Sequence, residues 1–500
     1  MMDALALAAG LVFNAETLTV IFLASAFGLF VGAMPGLTAT MAAALLVPLT
    51  FYMDPVPAIA AIISCTAMAI TAGDIPGALL RIPGTPASAA YVEDAYGLTR
   101  KGRAGFAIGI SICAATFGGL FGFATLLVAA PFLARFALNF SSFEYFWLSI
   151  LGLSCAVVVS HGGVAKGMLS LLLGLFIAQI GLDPLMGQPR FTFGIAELSG
   201  GISFIPAMIG MFALAEILRN GREGPSSVPQ VEVANPFAGV GAALSRYRLN
   251  LFRGAAVGSI IGALPGIGGD LGAWITYSLA KRTSKEPEKF GTGHPEGLVE
   301  AGASNNAALS SSWIPAMVFG IPGDAVTAIA VGVLFMKGMQ PGPQLLTINP
   351  QNFYAVLLVF VLANLLLIPF GYLAARLARN LFKVPRSYLN AAILLFCVVG
   401  SYSINNTLFG VGIMLGLGVI AYFLQSRDFA IAPIILGIVL GPLVEQSFTT
   451  SMTIARGDLW GFFERPIAAA LGIVTLLIWL GLAAGAILIK KPPSDTLSSR

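Results

Sequence analysis

Four places in this 500-residue chain combine proline and glycine inside apolar sequence in a way that exposes backbone polar groups. Gly28-x3-Gly32-Ala33-Met34-Pro35-Gly36-Leu37 recurs as Gly258-x3-Gly262-Ala263-Leu264-Pro265-Gly266-Ile267. Ile75-Pro76-x5-Ile82-Pro83-Gly84 recurs as Ile314-Pro315-x5-Ile321-Pro322-Gly323. Proline removes a backbone donor and glycine tolerates almost any φ/ψ, so each motif interrupts a helix. A helix restarting after such a break offers free N–H groups and the positive end of its dipole, which suits an anion. Thr38 and Thr40 follow the first break, and Thr85 and Ser88 the second. Gly268, Gly269 and Asp270 follow the third, and Asp324 and Thr327 the fourth. Hydroxyls beside free amides suit a carboxylate; freed carbonyls with Asp or Asn oxygens suit a sodium ion. A single break reads as a kink or a packing glycine, but two pairs in register point to a site.

Further candidates lie close by. In Ser304-Asn305-Asn306-Ala307-Ala308-Leu309-Ser310-Ser311-Ser312, amides and hydroxyls in an apolar segment need partners once desolvated. Asn305 and Asn306 could donate to a carboxylate, or Asn305 and Ser310 could offer oxygens to a cation. The alternative is interhelical hydrogen bonding. Asp74 and Arg81 flank Ile75-Pro76, where they could pair, or Arg81 could clamp a carboxylate bidentately. Asp74 and Asp324 are cation candidates, although Asp324 could equally cap a helix. His161 and His294 are isolated, so no metal site is expected beyond a transported sodium ion. GxxxxGK[ST], HExxH and GxSxG are all absent, so no catalytic residue, cofactor or enzymatic activity is expected.

The elements that must position these residues are membrane helices. The hydrophobic fraction is 57% and only 10% of residues are charged, against about a quarter in soluble domains. The net charge of +4 is scattered, which implies no nucleic-acid partner. Cys65, Cys113, Cys155 and Cys397 sit in apolar segments without a CxxC pair and read as small buried hydrophobes. Met1–Gly10 lacks a basic n-region, so the first apolar segment is expected to be retained. At about 20 residues per span there is room for roughly a dozen membrane segments. The expected fold is an all-α polytopic membrane protein with two internal, inverted repeats and broken or re-entrant helices. Residues 1–220 form the first repeat, 221–250 a polar cytoplasmic linker, 251–465 the second repeat, and 466–500 a final span and tail. Pro206-x3-Gly210 and Pro433-x3-Gly437 add a third matching pair.

Basic residues set the orientation. Arg376, Arg379, Lys383 and Arg386, and the stretch with Arg219, Arg222, Arg246, Arg248 and Arg253, are expected in the cytoplasm. One crossing at 251–280, a re-entrant hairpin at 300–337 and one crossing at 352–376 give the even number required. Treating each broken segment as two short spans is the alternative. The same order in the first half puts the 135–142 loop on the side opposite 380–387. Such matched interruptions point to a solute carrier; a gated channel for small anions is the alternative.

Several of these motifs together resemble the large membrane subunit of tripartite tricarboxylate transporters, the TctA family. They are Gly32-Ala33-Met34-Pro35-Gly36-Leu37, Ile82-Pro83-Gly84-Thr85-Pro86-Ala87-Ser88-Ala89-Ala90 and Lys101-Gly102-Arg103-Ala104-Gly105. Arg190-Phe191-Thr192-Phe193-Gly194, Pro295-Glu296-Gly297, Asn305-Asn306-Ala307 and Phe319-Gly320-Ile321-Pro322-Gly323 complete the set. The resemblance implies a multi-pass subunit of the bacterial inner membrane, working with a small TctB-like membrane subunit and a periplasmic TctC-like solute-binding protein. It also implies uptake of citrate or another small carboxylate by symport with sodium or protons. This chain carries Arg81 where the family usually has Asn, and Tyr91 and Glu93-Asp94-Ala95 where it often has Thr and Asp-Gly. A Glu common just before the Asn pair is also displaced here, to Glu300.

Overall fold

Helices begin and end at the residues just singled out. The computed structural model describes residues 2–160, 162–183, 187–220, 233, 235–381 and 386–488. Arg222, Lys383 and His161 lie outside the described residues. The first half opens with α1 (Met2–Val12), α2 (Ala15–Ala33), α3 (Ala39–Thr50), α4 (Pro55–Ala72) and α5 (Asp74–Leu80). It continues with α6 (Val92–Arg100), α7 (Ala104–Ala137), α8 (Ser142–Val159) and α9 (Val164–Ala178). A small antiparallel hairpin, β1 (Gly181–Leu182) with β2 (Pro189–Arg190), precedes α10 (Phe204–Met208) and α11 (Ala215–Asn220).

The second half has α12 (Val240–Arg246), α13 (Arg248–Gly262), α14 (Gly268–Thr283), α15 (Pro295–Ser311), α16 (Trp313–Phe319) and α17 (Ala325–Met336). After α18 (Pro343–Thr347) come α19 (Pro350–Leu381), α20 (Arg386–Asn405), α21 (Leu408–Gln425), α22 (Ala432–Ile454) and α23 (Pro466–Leu488). Residues 240–250, expected in a polar linker, thus form α12 and the start of α13.

Among the described residues, six helical stretches are long and apolar enough to cross a bilayer: Ala15–Ala33, Pro55–Leu80, Ala104–Ala137, Pro350–Ala378, Leu408–Gln425 and Ala432–Ile454. The chain is a mostly helical, multi-pass membrane protein. Burial separates these spans. The most apolar part of Pro55–Leu80 is 94% enclosed by protein and that of α21 only 22%, so the first is a core element and the second faces outward.

Small residues decide the direction of each helix, because they let backbones touch. Gly28 packs on the backbone of Cys65 and Gly32 on that of Ala69, so α2 and α4 run side by side in the same direction. The chain leaving α2 must therefore return along α3 before α4 can begin. In the second half, Gly254, Gly258 and Gly262 pack on Glu300, Ser304 and Ala308, which makes α13 and α15 parallel and α14 the return. The single crossing expected at 251–280 is therefore a re-entrant hairpin.

Residues 300–337, expected as the re-entrant hairpin, do the opposite. Gly293, just before α15, packs on Gly97 beyond the far end of α4–α5, while Lys337 after α17 donates to the Phe51 carbonyl near the start of α4 at 2.7 Å. This segment runs the length of α4 with its break midway. The two assignments exchange places, and the number of crossings stays even. Hydropathy cannot distinguish a Pro-Gly break that reverses the chain from one that lets it continue; backbone packing can.

Gly118 and Gly122 of α7 pack on Ala303 and Ala307, so α7 is parallel to α15. Gly119 meets Asn364 and Gly371 meets Ile112, so α7 and α19 are antiparallel. Asp94 joins the halves at one end. Its Oδ1 accepts from the backbone N–H groups of Gly291 (2.8 Å), Gly293 (2.9 Å) and His294 (2.9 Å), and its Oδ2 from the Tyr277 hydroxyl (2.7 Å). The carboxylate is fully buried. Asp94→Ala would orphan these donors at about 1–3 kcal/mol each. Thermal unfolding in detergent should show a melting temperature lowered by several degrees, with Asp94→Asn between the two. An unchanged melting temperature for Asp94→Ala would show that the latch contributes nothing.

Candidate functional site

All four breaks border one cavity. It measures about 180 Å³ and lies level with Gly118–Gly122, the middle of the 34-residue α7. Drug-sized pockets span about 300–1,000 Å³, so this one suits a solute of a few carbon atoms. Thr38 and Thr40 enter it from the first break, and Thr85 and Pro86 from the second. Gly266 to Asp270 come from the third, and Asp324 to Val326 from the fourth. Asn305 and Leu309 of α15, Ser160 after α8, and Ala432 and Pro433 at the start of α22 complete the polar and helix-end lining.

Each break has a local cause. Gly36 (φ +86°) and Gly266 (φ +80°) take the left-handed region right after proline, reversing the chain where a side chain would be strained. At the second break Arg81 itself is left-handed (φ +60°) and ends α5. The loop then folds back until Gly84 donates to the Gly73 carbonyl at 3.1 Å. At the fourth break Gly323 packs on Ser312 in the same manner, at the α15–α16 junction. Gly84 and Gly323 therefore shape the loops without lining the cavity.

Four helices of twelve residues or more start at the cavity: α3, α14, α17 and α22. Two are capped by side chains. Thr38 accepts from the Met41 N–H at 3.2 Å, and Asp324 from the Thr327 N–H at 2.7 Å. No side chain caps α14 or α22; α14 keeps the N–H groups of Gly268 and Gly269, whereas in α22 Pro433 has no N–H and Ile434 donates to the Ile431 carbonyl at 3.0 Å, which leaves the N–H of Ala432. Thr85 and Ser88 form a small reciprocal cap, the Ser88 N–H donating to Thr85 Oγ1 and the Thr85 N–H to Ser88 Oγ, both at 3.1 Å. A hydroxyl that accepts in a cap still has its own hydrogen to donate. Thr38 and Thr85 thus remain donors toward the cavity.

The carboxylates sit on one side. Asp270 lies in the first turn of α14, and Asp324 abuts the same break beside Gly268. Asp270 Oδ1 also accepts from the Ala87 N–H at 3.2 Å, and Trp274 Nε1 donates to the Pro86 carbonyl at 3.0 Å, so α14 holds the loop of the other half.

Of the candidates named from sequence, Thr38, Thr40, Thr85, Gly266, Gly268, Gly269, Asp270, Asn305 and Asp324 line the cavity. Pro35, Gly36, Pro83, Pro265 and Pro322 stand in the breaks behind it. Asn306 instead pairs with Thr71 across the halves (3.1 Å), and Ser310 donates to the Gly119 carbonyl (3.1 Å). Asp74 is buried and accepts from the Tyr91 hydroxyl at 2.8 Å, not from Arg81. Arg81 is exposed, away from the cavity, and binds Glu93 Oε1 through Nε (2.9 Å) and Nη2 (2.8 Å). Sequence reasoning did not select Ser160 or Ala432. Pro433 was visible only as half of a repeated Pro-x3-Gly pair. Among the described residues no group of three or more His, Cys, Asp or Glu is placed to hold a metal ion.

Interrupted helices meeting at a cavity with a few polar groups, midway along the 34-residue α7, are the construction of a membrane solute carrier. The sequence agrees: residues 18–436 match the Tripartite tricarboxylate transporter TctA family, and the chain belongs to that family. It is 36% identical over 456 residues to an uncharacterized 52.8 kDa protein in the TAR-I ttuC' 3' region of Agrobacterium vitis, covering 91% of each chain. A second uncharacterized protein, from the TAR-II ttuC' 3' region of the same organism, is 38% identical over 226 residues, covering 45% of this chain and 93% of its own length. No solved structure matches the chain.

Because Gly84 touches Gly73 and Gly323 touches Ser312, a leucine at either position would push the loop off its junction. Gly84→Leu and Gly323→Leu should each abolish solute uptake while the protein still inserts. Wild-type uptake by both variants in membrane vesicles would show that the loops do not shape the site.

Proposed function

We propose that this chain is the large transmembrane subunit of a tripartite system for secondary active uptake of a small carboxylate across the bacterial inner membrane. A periplasmic solute-binding protein delivers the solute, a small membrane subunit accompanies the chain, and a sodium or proton gradient drives transport. The observation that carries this reading is the division of the cavity lining. The Ala432 N–H at the start of α22 and the hydroxyls of Thr38 and Thr85 suit a carboxylate, while Asp270 in the first turn of α14, Asp324 and Asn305 suit a cation.

Electrostatics makes the two ligands interdependent. Like charges about 4 Å apart repel by roughly 4 kcal/mol at an effective dielectric near 20. A carboxylate entering beside ionised Asp270 and Asp324 is therefore rejected unless a sodium ion or proton neutralises them. The four helix starts add about half a positive charge each, about two in all, which the two aspartates already balance, so none is left over for the solute. Coupling follows from this arrangement: neither ligand binds well alone.

The two halves are read as inverted repeats. Support comes from α7 and α19, which occupy the same place in each half and run antiparallel, and from matched re-entrant pairs α2–α3 and α13–α14. Arg100, Lys101 and Arg103 at the start of α7 then lie in the cytoplasm with Arg376 of α19, and the loop after α7 in the periplasm. A cysteine introduced at position 138 should react with an impermeant reagent added outside intact spheroplasts. Labelling only after disruption would reverse the orientation.

Asparagine caps helices as well as aspartate does, so Asp324→Asn should preserve the start of α17. The variant should lose the cation dependence of solute binding and accumulate little solute against a gradient. Undiminished, gradient-driven accumulation by the Asp270→Asn/Asp324→Asn double variant would rule out these carboxylates as the coupling site. A channel would show flux that neither saturates nor accumulates.

A further inference from the structure

Arg81, Arg100 and Lys101 are not accounted for by the central cavity, yet they meet elsewhere. With Glu93, Tyr96 and Thr292 they line a separate polar recess of about 420 Å³. Three cations face a single carboxylate there. Glu93 is taken up by Arg81, whereas Arg100 and Lys101 form no ion pair among the described residues. The nearby Asp94 is turned away from them, its oxygens accepting four hydrogen bonds from neutral donors, but it keeps its negative charge and offsets one of the three cations. With Glu93 and Asp94 both counted, the recess carries an uncompensated charge of about one unit, open to water, and attracts small anions.

Its position gives that charge a use. The loop that puts Thr85 and Pro86 into the central cavity begins at Arg81 in the recess. Four residues span at most about 14 Å, so a solute leaving past Thr85 comes within that distance of the recess. Arg81 is held there by its left-handed backbone, just after α5, and by Glu93 in the first turn of α6. The later turns of α6, from Tyr96 to Arg100, and the loop at Gly291 and Thr292 enclose the other side, and Arg103 is withdrawn by stacking on Phe106 at 3.9 Å. A carboxylate moving outward from the centre thus passes from acidic surroundings, Asp270 and Asp324, to basic ones.

We propose that this recess is a second, weaker anion site on the release side of the transporter, where a small polycarboxylate is held on leaving and to which accumulated product returns. The proposal rests on the carboxylate-uptake reading for its cargo and direction. Return of product to the recess keeps the cavity from emptying, so uptake slows as the solute accumulates inside.

The test reads the recess directly. Purified full-length protein is treated with an amine-reactive reagent, and modification of Lys101 is quantified by peptide mass spectrometry. Millimolar citrate should slow modification of Lys101, and sodium chloride at matched ionic strength should not. Arg100→Gln should weaken the protection about fivefold, the effect of removing one exposed ionic contact of about 1 kcal/mol. Protection should persist in Asn305→Ala, whose central cavity is altered, and vesicles carrying Arg100→Gln should show less inhibition of uptake by internal solute. Equal protection by chloride, or loss of protection in Asn305→Ala, would overturn the proposal. If Lys101 is protected but no carboxylate is transported, the uptake reading fails and the anion site stands. If carboxylate is transported and Lys101 is never protected, the recess alone is wrong.

Discussion

Backbone N–H and C=O groups freed at a helix interruption cannot face hydrocarbon, where each unpaired group costs several kcal/mol. Nearly everything distinctive about this structure meets that constraint. The loop after α5 folds onto the α4–α5 junction, with Gly84 bonded to Gly73, and the loop after α16 folds onto the α15–α16 junction at Ser312. The breaks after α2 and α13 reverse the chain, so that α3 and α14 return along their partners. Satisfying four interruptions with protein brings them to one place, and the polar groups left over there form the cavity. The cavity is in this sense a by-product of backbone accounting in an apolar medium.

Equivalent positions of the two halves solve the same capping problem with different chemistry. Thr85 with Ser88 and Asp324 with Thr327 make the same reciprocal cap, one through hydroxyls and the other through a carboxylate. Thr40 and Asp270 likewise stand five residues after their prolines. The cavity thereby acquires hydroxyls from the first half of the chain and carboxylates from the second. An exact chemical repeat would have produced either four hydroxyls or four carboxylates, and neither separates an anion from its counter-cation.

Close helix contact supplies the rigidity such a cavity needs. Gly28, Gly32, Gly258 and Gly262 allow backbone-to-backbone packing in the layer beside the breaks, and Asp94 anchors α6 to the loop before α15. Contacts across the halves, from Thr71 to Asn306 and from Trp274 to Pro86, tie the two sides of the cavity together. Arg81, the residue that departs from the usual family pattern, acts at the edge of this assembly rather than inside it.

The sequence by itself determined the membrane class, the breaks and their pairing, because hydropathy and Pro-Gly chemistry are local properties. Thr38, Thr85, Gly266, Gly268, Asn305 and Asp324 were legible as cavity residues for the same reason: each follows a break or stands in a polar run within apolar sequence. Which break reverses the chain was decided only in three dimensions, by whether glycines on neighbouring helices meet in the same order or the opposite one. The partners of Asp74, Asn306, Ser310 and Arg81 were likewise tertiary matters, since adjacency along a chain does not say which way a side chain on a broken helix points. Ser160 and Ala432 carry no signal of their own. They reach the cavity because α8 ends and α22 begins beside it, and only the packed structure brings those distant ends together.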